Sequence, residues 1–208
     1  MNKKLLSLSL ITMALGLATS SAFAADNTGT VTFDGQLTKT TCKVDIEGQG
    51  PDATITLPTV STNTLTQAGQ VTGRTAFNMN LHDCENIIPE IIDFSLPLTR
   101  NTTVSTTHAL VSAFFEAGMT VDPVTGQLKN MDTSATGATF VNLQLLDGSN
   151  NFAPIKIGNT KQVTDTTYVS INIDTFSTTL PYAVEYYATG LTTAGKVNSS
   201  VIYTLQYK

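Results

Sequence analysis

GKVNSSVIYTLQYK, residues 195–208, is the stretch that decides the fold. Apolar side chains take one parity in it and polar side chains the other, the pattern of a strand with one buried face. Gly195 begins the stretch, and the inward-facing candidates are Val197, Val201, Tyr203, Leu205 and Tyr207. Because this strand ends the chain, we expect it either to pair with an earlier segment or to expose an edge that another chain can extend.

A second alternating stretch, GTVTFDGQL, lies near the other end of the chain at residues 29–37. Gly35 is small where two backbones would approach closely. We interpret residues 29–37 as a donor strand for an acceptor strand at the C-terminus. The alternative is an ordinary first strand that closes its own sheet. The side chains of the candidate donor face are Gly29, Val31, Phe33, Gly35 and Leu37.

The first 24 residues have the pattern of a secretory signal peptide. Lys3 and Lys4 precede an apolar stretch, and Ala22-Phe23-Ala24 is a small-x-small cleavage site. A membrane anchor is the alternative, but the apolar stretch is shorter than the roughly 20 residues that a bilayer span needs. We therefore predict an exported chain that begins at Ala25.

The composition favours an almost entirely β fold. Thirty-five of the residues after position 24 are threonines, whose β-branched side chains favour strands over helices. The net charge is −5 without a basic stripe, which argues against a nucleic-acid or anionic-lipid partner. Short strand candidates alternate with turn residues at the spacing of a sandwich. These candidates are 41–46, 53–57, 75–84, 90–98, 109–116, 139–146, 152–157, 167–176 and 180–188, followed by the C-terminal strand.

Two cysteines, Cys42 and Cys84, remain in the exported chain. In an oxidising compartment, two cysteines indicate one disulfide. A metal site is the alternative, since His82, Asp83, Cys84 and Glu85 are adjacent. Adjacent residues on a strand point to opposite faces and converge poorly on one ion, whereas a structural zinc site needs four ligands. We therefore predict a disulfide and no metal.

The sequence has little that supports catalysis. His82 and His108 are the two histidines available as bases, and neither a nucleophile elbow nor a Gly-rich loop between a strand and a helix is present. His82 shares its strand parity with Asn78 and Asn80, opposite the apolar Phe77, which indicates a structural or exposed histidine. We predict a non-enzymatic protein without a cofactor.

The motifs, taken in order, resemble the structural pilins of chaperone–usher fimbriae, and most closely the type 1 major pilin group. GTVTFDG precedes Cys42, and FNMNLHDC ends in Cys84. LPYAVEYYATG follows, and Gly195 and the penultimate Tyr207 complete the pattern. The resemblance covers essentially the whole chain after the signal peptide.

This resemblance implies an incomplete immunoglobulin-like sandwich that lacks its last strand. Residues 1–24 would be the signal peptide, 25–40 the donor-strand extension and 41–208 the pilin domain. A periplasmic assembly chaperone would fill the groove beside the C-terminal strand until, at an outer-membrane usher, the extension of the next subunit replaced it. The product would be a head-to-tail fimbria at the cell surface that supports adhesion. Host surface glycans would be a further class of partner for it. The same residues from Gly195 to Tyr207 would serve chaperone and subunit recognition.

Two alternatives remain within this family: a carbohydrate-binding adhesin and a minor adaptor or anchoring subunit. Tip adhesins of the family carry an additional lectin domain and lack a donor extension, so the chain fits a stalk subunit better. Two segments depart from the family pattern and read as loop elaborations, namely 86–89 and 119–133.

Overall fold

The computed structural model describes residues 31–32, 41–85 and 109–208. In these ranges the chain forms two antiparallel sheets. The larger has the strand order β1-β2-β8-β5-β4, with β6 also paired to β5, and the smaller has the order β7-β3-β9. The strands are β1 (Lys43–Ile46), β2 (Val71–His82), β3 (Leu110–Phe115), β4 (Leu128–Lys129), β5 (Val141–Asp147), β6 (Ala153–Pro154), β7 (Val169–Ser170), β8 (Thr178–Ala188) and β9 (Tyr203–Tyr207). One short helix, α1 (Gln162–Asp165), and 3-10 turns at Thr62–Thr64 and Gly148–Asn150 complete the described elements.

The long antiparallel pair of β2 and β8 is the centre of the larger sheet. Its register joins Phe77 to Tyr182 and Leu81 to Thr178. In β2, Phe77, Met79 and Leu81 are buried and the residues between them are exposed, as the alternation predicts. The inward face of these two strands therefore forms one side of the core.

The core lies between the two sheets. The Tyr182 ring packs edge-on against Phe115 of β3, with ring centroids 5.1 Å apart. Its hydroxyl accepts a hydrogen bond from the Ala113 N–H at 3.2 Å. One tyrosine thus joins the sheets through both an aromatic contact and a backbone bond.

The predicted disulfide is confirmed. Cys42 and Cys84 are bonded, with their Cα atoms 4.5 Å apart, and both are buried. Simple alternation would place Cys84 on the exposed face with His82, but Asp83 has a φ of 55° and turns the chain so that Cys84 points inward. The loop closed by the bond spans 42 residues, for which the loss of unfolded-chain entropy corresponds to about 4 kcal/mol. The Cys84 sulfur is committed to this bond and is not a thiolate ligand for a metal.

The candidate strands differ in how far the structure bears them out. Strands overlap the candidates 41–46, 75–84, 109–116, 139–146 and 180–188, whereas 152–157 and 167–176 contribute only the two-residue strands β6 and β7. The candidate 90–98 lies outside the described residues. Within the described residues no strand pairs with 53–57, so the predicted strand is wrong there in its backbone pairing, and the C-terminal strand pairs only from Tyr203 onward.

The segment 119–133, expected to be a loop elaboration, contains a hairpin that joins the larger sheet. Val121 bridges Leu128, and Leu128 in turn pairs with Leu143 of β5. The Asp122 carboxylate accepts the N–H groups of Val124 and Thr125, which shapes the turn and lowers the pKa of that carboxyl. In the described ranges, no helix is both long and apolar enough to serve as a membrane span.

Candidate functional site

A groove opens into the core between two extended segments. One rim is residues 51–57 and the other is residues 197–203. The groove has a volume of about 530 Å³. Its floor consists of core side chains from both sheets, namely Phe77, Met79, Phe115, Leu128, Leu143, Leu145 and Val184. These floor side chains are themselves buried, and the most exposed of them, Phe77, is only 8% exposed, so the groove ends on the core without laying it open.

A second cavity of about 680 Å³ adjoins the groove and shares Val197 and Asn198 with it. We call this cavity the groove mouth. Its walls are richer in hydroxyl groups than the groove floor, with Thr59, Ser61, Thr62, Thr192 and Thr193 among its lining residues. It lies where β8 ends and β5 begins, because Tyr186 and Val141 also line it.

The first rim has the side-chain pattern of a strand without the hydrogen bonds of one. Ala53, Ile55 and Leu57 are half-buried and pack against the core, while Thr54 and Thr56 are exposed. Within the described ranges no strand pairs with this rim, and the backbone of Thr54 bonds to the Gln49 side chain. The alternation predicts a strand here correctly at the level of side chains. The described part of the chain supplies no partner strand for it.

The second rim is preceded by Gly195, a position where only a glycine fits. A Cβ atom at this position would lie 2.4 Å from the backbone nitrogen of Ala138. The close approach lets Lys196 bridge Gly137 in parallel, and the Asn130 side chain donates to the Lys196 carbonyl at 2.9 Å. The start of the rim is therefore fixed by the absence of a side chain at Gly195.

The rest of this rim repeats the behaviour of the first. Val197 and Val201 pack against the core, and Asn198 and Ser200 are exposed. No described strand pairs with residues 197–201. Between the two valines, the Ser199 Oγ is buried, and no hydrogen-bond partner for it is present in the part of the chain that the structure describes.

Strand β9 continues the second rim and has one free edge among the described strands. Lys208 and Leu110 exchange both backbone hydrogen bonds, at 2.9 Å each. Because bonded and non-bonded residues alternate in an antiparallel pair, Tyr203, Leu205 and Tyr207 direct their N–H and C=O groups away from β3. The side chains of these three residues pack against the core. Their backbones therefore offer a row of donors and acceptors beside the groove.

Two tyrosine hydroxyls connect β9 to the N-terminal part of the domain. The Tyr207 hydroxyl accepts the Cys42 N–H at 3.0 Å and bonds to the Thr41 hydroxyl. The Tyr203 hydroxyl donates to the Pro51 carbonyl at 2.9 Å, which links the two rims. Burial raises the pKa of both phenols. Tyr207 therefore ties the end of β9 to the residues beside the disulfide.

The charged residues near the disulfide form an exposed surface pair. The Lys43 amine lies 2.7 Å from the Asp83 carboxylate, and this hydrogen bond raises the pKa of Lys43 and lowers that of Asp83. The His82 ring lies 3.5 Å from the same carboxylate and is half-exposed. This arrangement is that of a solvated surface pair beside the disulfide.

The structure brings together the predicted acceptor residues but does not test the donor residues. Val197, Val201 and Tyr203 line the groove, Gly195 lines the groove mouth, and Leu205 and Tyr207 continue along β9 and pack against the core. Of the donor face, only Val31 belongs to the described residues, and it is 73% exposed. Gly29, Phe33, Gly35 and Leu37 lie outside them, so the donor strand stays a prediction.

Sequence reasoning missed the opposite rim as part of the site. Ala53, Ile55 and Leu57 were visible only as one strand candidate among many. Their signal was the same alternation as in residues 197–201, following the turn residues Gly50 and Pro51. The sequence also did not predict the buried hydroxyl of Ser199, because a lone serine in an alternating stretch carries no sequence signature.

Comparison with known proteins places the chain in a family. Residues 88–208 match the family model FimA, described as type-1 fimbrial protein, A. The major fimbrial subunit SMF-1 of Stenotrophomonas maltophilia is 41% identical over 93% of this chain and 99% of its own length. The chain belongs to the type-1 fimbrial protein family. Fimbrial subunit type 1 of Klebsiella pneumoniae, another relative, is 30% identical over 94% of this chain and 93% of its own length.

Solved structures agree on the fold of this fimbrial protein. The P pilus rod subunit PapA superposes with a TM-score of 0.53 at 14% identity, covering 80% of this chain and 99% of its own. A chaperone-usher pilus studied for rod uncoiling gives 0.51 at 14% identity, covering 89% of this chain and 98% of its own. The predicted fold class, an all-β immunoglobulin-like sandwich, is confirmed. The chain is a structural subunit of a surface fimbria, from a family of structural proteins rather than enzymes.

Proposed function

We propose that this fimbrial subunit polymerises by donor-strand exchange, in which residues 29–37 of one subunit fill the groove of the next. The observation that carries the proposal is the pair of rims, 51–57 and 197–203. Both rims have strand-like alternation of burial, and residues 51–57 and 197–201 have no strand partner among the described residues. A strand laid between them would bond to backbone groups and cover the apolar floor in one step.

The proposed donor matches the groove in length and chemistry. Nine extended residues span about 30 Å, which suits a groove that follows most of one strand. Burying Val31, Phe33 and Leu37 against the floor contributes roughly 5–9 kcal/mol as an upper bound. Each added ladder bond contributes about 1 kcal/mol net. Together these amounts are sufficient for a long-lived fibre.

The direction of the donor follows from the two ends of the domain. We call the end with Cys42, Cys84 and Tyr207 the disulfide pole, and the end with the groove mouth the mouth pole. The extension joins its own domain at Thr41, at the disulfide pole, where Thr41 bonds to Tyr207. If the donor ran parallel to β9, it would also leave the acceptor at the disulfide pole, and both neighbours would compete for one surface. A linear fibre therefore requires a donor antiparallel to β9 that leaves at the mouth pole.

Before assembly, the groove needs a substitute strand, because an exposed sheet edge with an apolar floor favours aggregation. An assembly chaperone in the periplasm would supply that strand, and exchange would take place at an outer-membrane usher. The signal pattern of residues 1–24 and the family membership support this route. The subunit acts without catalysis or a cofactor, and its fibre supports adhesion.

The test distinguishes a residue that acts in the extension from one that acts in the fold of its own domain. Phe33→Asp puts an unpaired carboxylate into the apolar groove, which costs several kcal/mol. We expect chaperone-bound subunit at normal levels and no heat-resistant polymer at the cell surface. Thr32→Asp is the matched control, since its side chain faces away from the groove, and it should polymerise normally.

A change in the acceptor rim should act earlier. Tyr207→Ser removes the contacts to Thr41 and Cys42 and the packing of the ring against the core, so chaperone-bound subunit should fall before any fibre forms. Equal loss of both signals in Phe33→Asp and Tyr207→Ser would show that Phe33 is a core residue of its own domain, and the donor assignment would then be wrong.

A further inference from the structure

Each pole of the domain carries a pair of exposed apolar side chains. At the mouth pole these are Phe140, 60% exposed, and Leu191, 68% exposed. At the disulfide pole they are Ile173, 45% exposed, and Phe176, 37% exposed. Large exposed apolar groups that cluster on a rigid surface mark interaction sites. We call the two pairs the mouth patch and the disulfide patch.

The mouth patch is held in an unusual backbone conformation. Phe140 has a φ of 57°, which bulky residues rarely adopt. Its carbonyl accepts the Thr189 N–H at 2.8 Å, and its ring lies against Gly190, 3.3 Å from where a Cβ would be. Thr192, the residue after Leu191, is anchored as well, because its hydroxyl donates to the Leu65 carbonyl at 2.9 Å. The ring is therefore displayed by a fixed loop.

The disulfide patch is built in the same way. Phe176 has a φ of 48°, and its carbonyl accepts the Cys84 N–H at 3.1 Å. The Asn172 side chain accepts the N–H groups of Asp174 and Thr175 at 2.8 and 3.1 Å. The loop between β7 and β8 is thus pinned beside the disulfide. Strained, locked positions of this kind are concentrated at functional sites.

The two patches face each other if the proposed fibre forms. The donor leaves the acceptor at the mouth pole and joins its own domain at the disulfide pole. The chain from Leu37 to Cys42 reaches at most about 18 Å, so the two poles are held close together. A tether of this length also raises the effective concentration of one pole at the other to the millimolar range, so a small apolar contact suffices.

We propose that consecutive subunits make a second, pole-to-pole contact in which the disulfide patch of the donating subunit packs on the mouth patch of the accepting subunit. This proposal rests on the proposed function, specifically on the antiparallel direction of the donor. The contact joins two different surfaces of one chain, so it is heterologous and repeats along an open fibre. It would stiffen the junction between consecutive subunits, which the donor strand would otherwise connect on its own.

Photo-crosslinking in assembled fibres tests the contact without removing an aromatic ring. Phe140→benzoylphenylalanine places the reactive group in the mouth patch. After irradiation, we expect cross-linked dimers whose mapped peptide contains residues 171–178 of the neighbouring subunit. The same change at Leu191 repeats the test from the other member of the patch.

Val124→benzoylphenylalanine is the matched control. Val124 is 87% exposed at the tip of the 121–128 hairpin, on the β4 edge of the larger sheet, and should give no cross-link to residues 171–178. Heat-resistant polymer is measured in the same samples. Polymer that forms without a cross-link from either position 140 or position 191 to residues 171–178 overturns the pole contact alone. Polymer that still forms with Phe33→Asp overturns the donor-strand proposal on which it rests.

Discussion

The central pair of strands and the two rims of the groove have the same side-chain pattern and differ in their backbones. In β2 and β8, alternating apolar residues face the core and each strand is bonded along its length to a neighbour. In residues 51–57 and 197–201, alternating residues also face the core, but no described strand bonds to them. Side-chain burial alone can therefore place a segment against a core. Among the described strands, neither side of the groove has a ladder, which is where the proposed donor strand would lie.

The largest expected effect comes from breaking the central pair. Met79 is almost completely buried in β2, and Met79→Ala should destabilise the domain by about 2–5 kcal/mol. Asn78→Ala, on the exposed face of the same strand, is the control and should change stability by less than about 0.5 kcal/mol. Chemical denaturation of the donor-completed subunit measures both. Equal effects would mean that β2 does not separate an inner from an outer face.

A smaller effect on stability is expected at the rim of residues 51–57, and it should depend on whether the donor strand is in place. Ile55 is half-buried, so Ile55→Ala should cost about 1–2 kcal/mol once the donor covers it. Thr54→Ala, on the exposed parity, should cost little. The denaturant concentration that dissociates the polymer reports the difference. An Ile55→Ala polymer as resistant as the unaltered one would show that the donor does not contact this rim.

The smallest effect concerns Tyr207, at the end of β9, at high pH. Burial raises the pKa of Tyr207 in the folded domain, so folding favours the neutral phenol. The stability that this residue contributes is complete below its usual pKa of about 10 and is lost as the pH rises through the folded value. Tyr207→Phe should cost about 1 kcal/mol at neutral pH through the lost hydrogen bonds and should reduce the alkaline loss. Urea midpoints near neutrality and at about pH 11 test this. An unchanged alkaline loss would contradict it.

The sequence predicted the central strands well because alternation in a strand directly reflects burial. The inward set of Phe77, Met79 and Leu81 is an example, and the disulfide followed from the number of cysteines in an exported chain. The C-terminal strand was predicted over its whole length, yet residues 197–201 form no ladder with any strand that the structure describes. Alternation reports which side chains are buried and carries no information about whether a backbone partner exists in the same chain.

Other features could not be predicted because they depend on tertiary contacts. The inward turn of Cys84 depends on the positive φ of Asp83, which residue types alone do not specify. The hairpin around Val121 and Leu128 has strands of one or two residues, too short for any period to show. The role of Gly195 required the position of Ala138, 57 residues earlier in the chain, against which its backbone packs. In each case the deciding partner is remote in sequence.

The central claim is that the domain is one strand short and that residues 29–37 supply this strand. The most direct test appends a copy of residues 26–39 after Lys208 through a linker of about four residues, enough for a hairpin that returns antiparallel to β9. Equilibrium unfolding and sedimentation are measured for this fusion, for the unmodified chain, and for the fusion with Phe33→Asp in the appended copy. The account predicts a cooperative, stable monomer only for the first of the three. A monomeric, cooperatively unfolding unmodified chain that gains nothing from the added strand would contradict it.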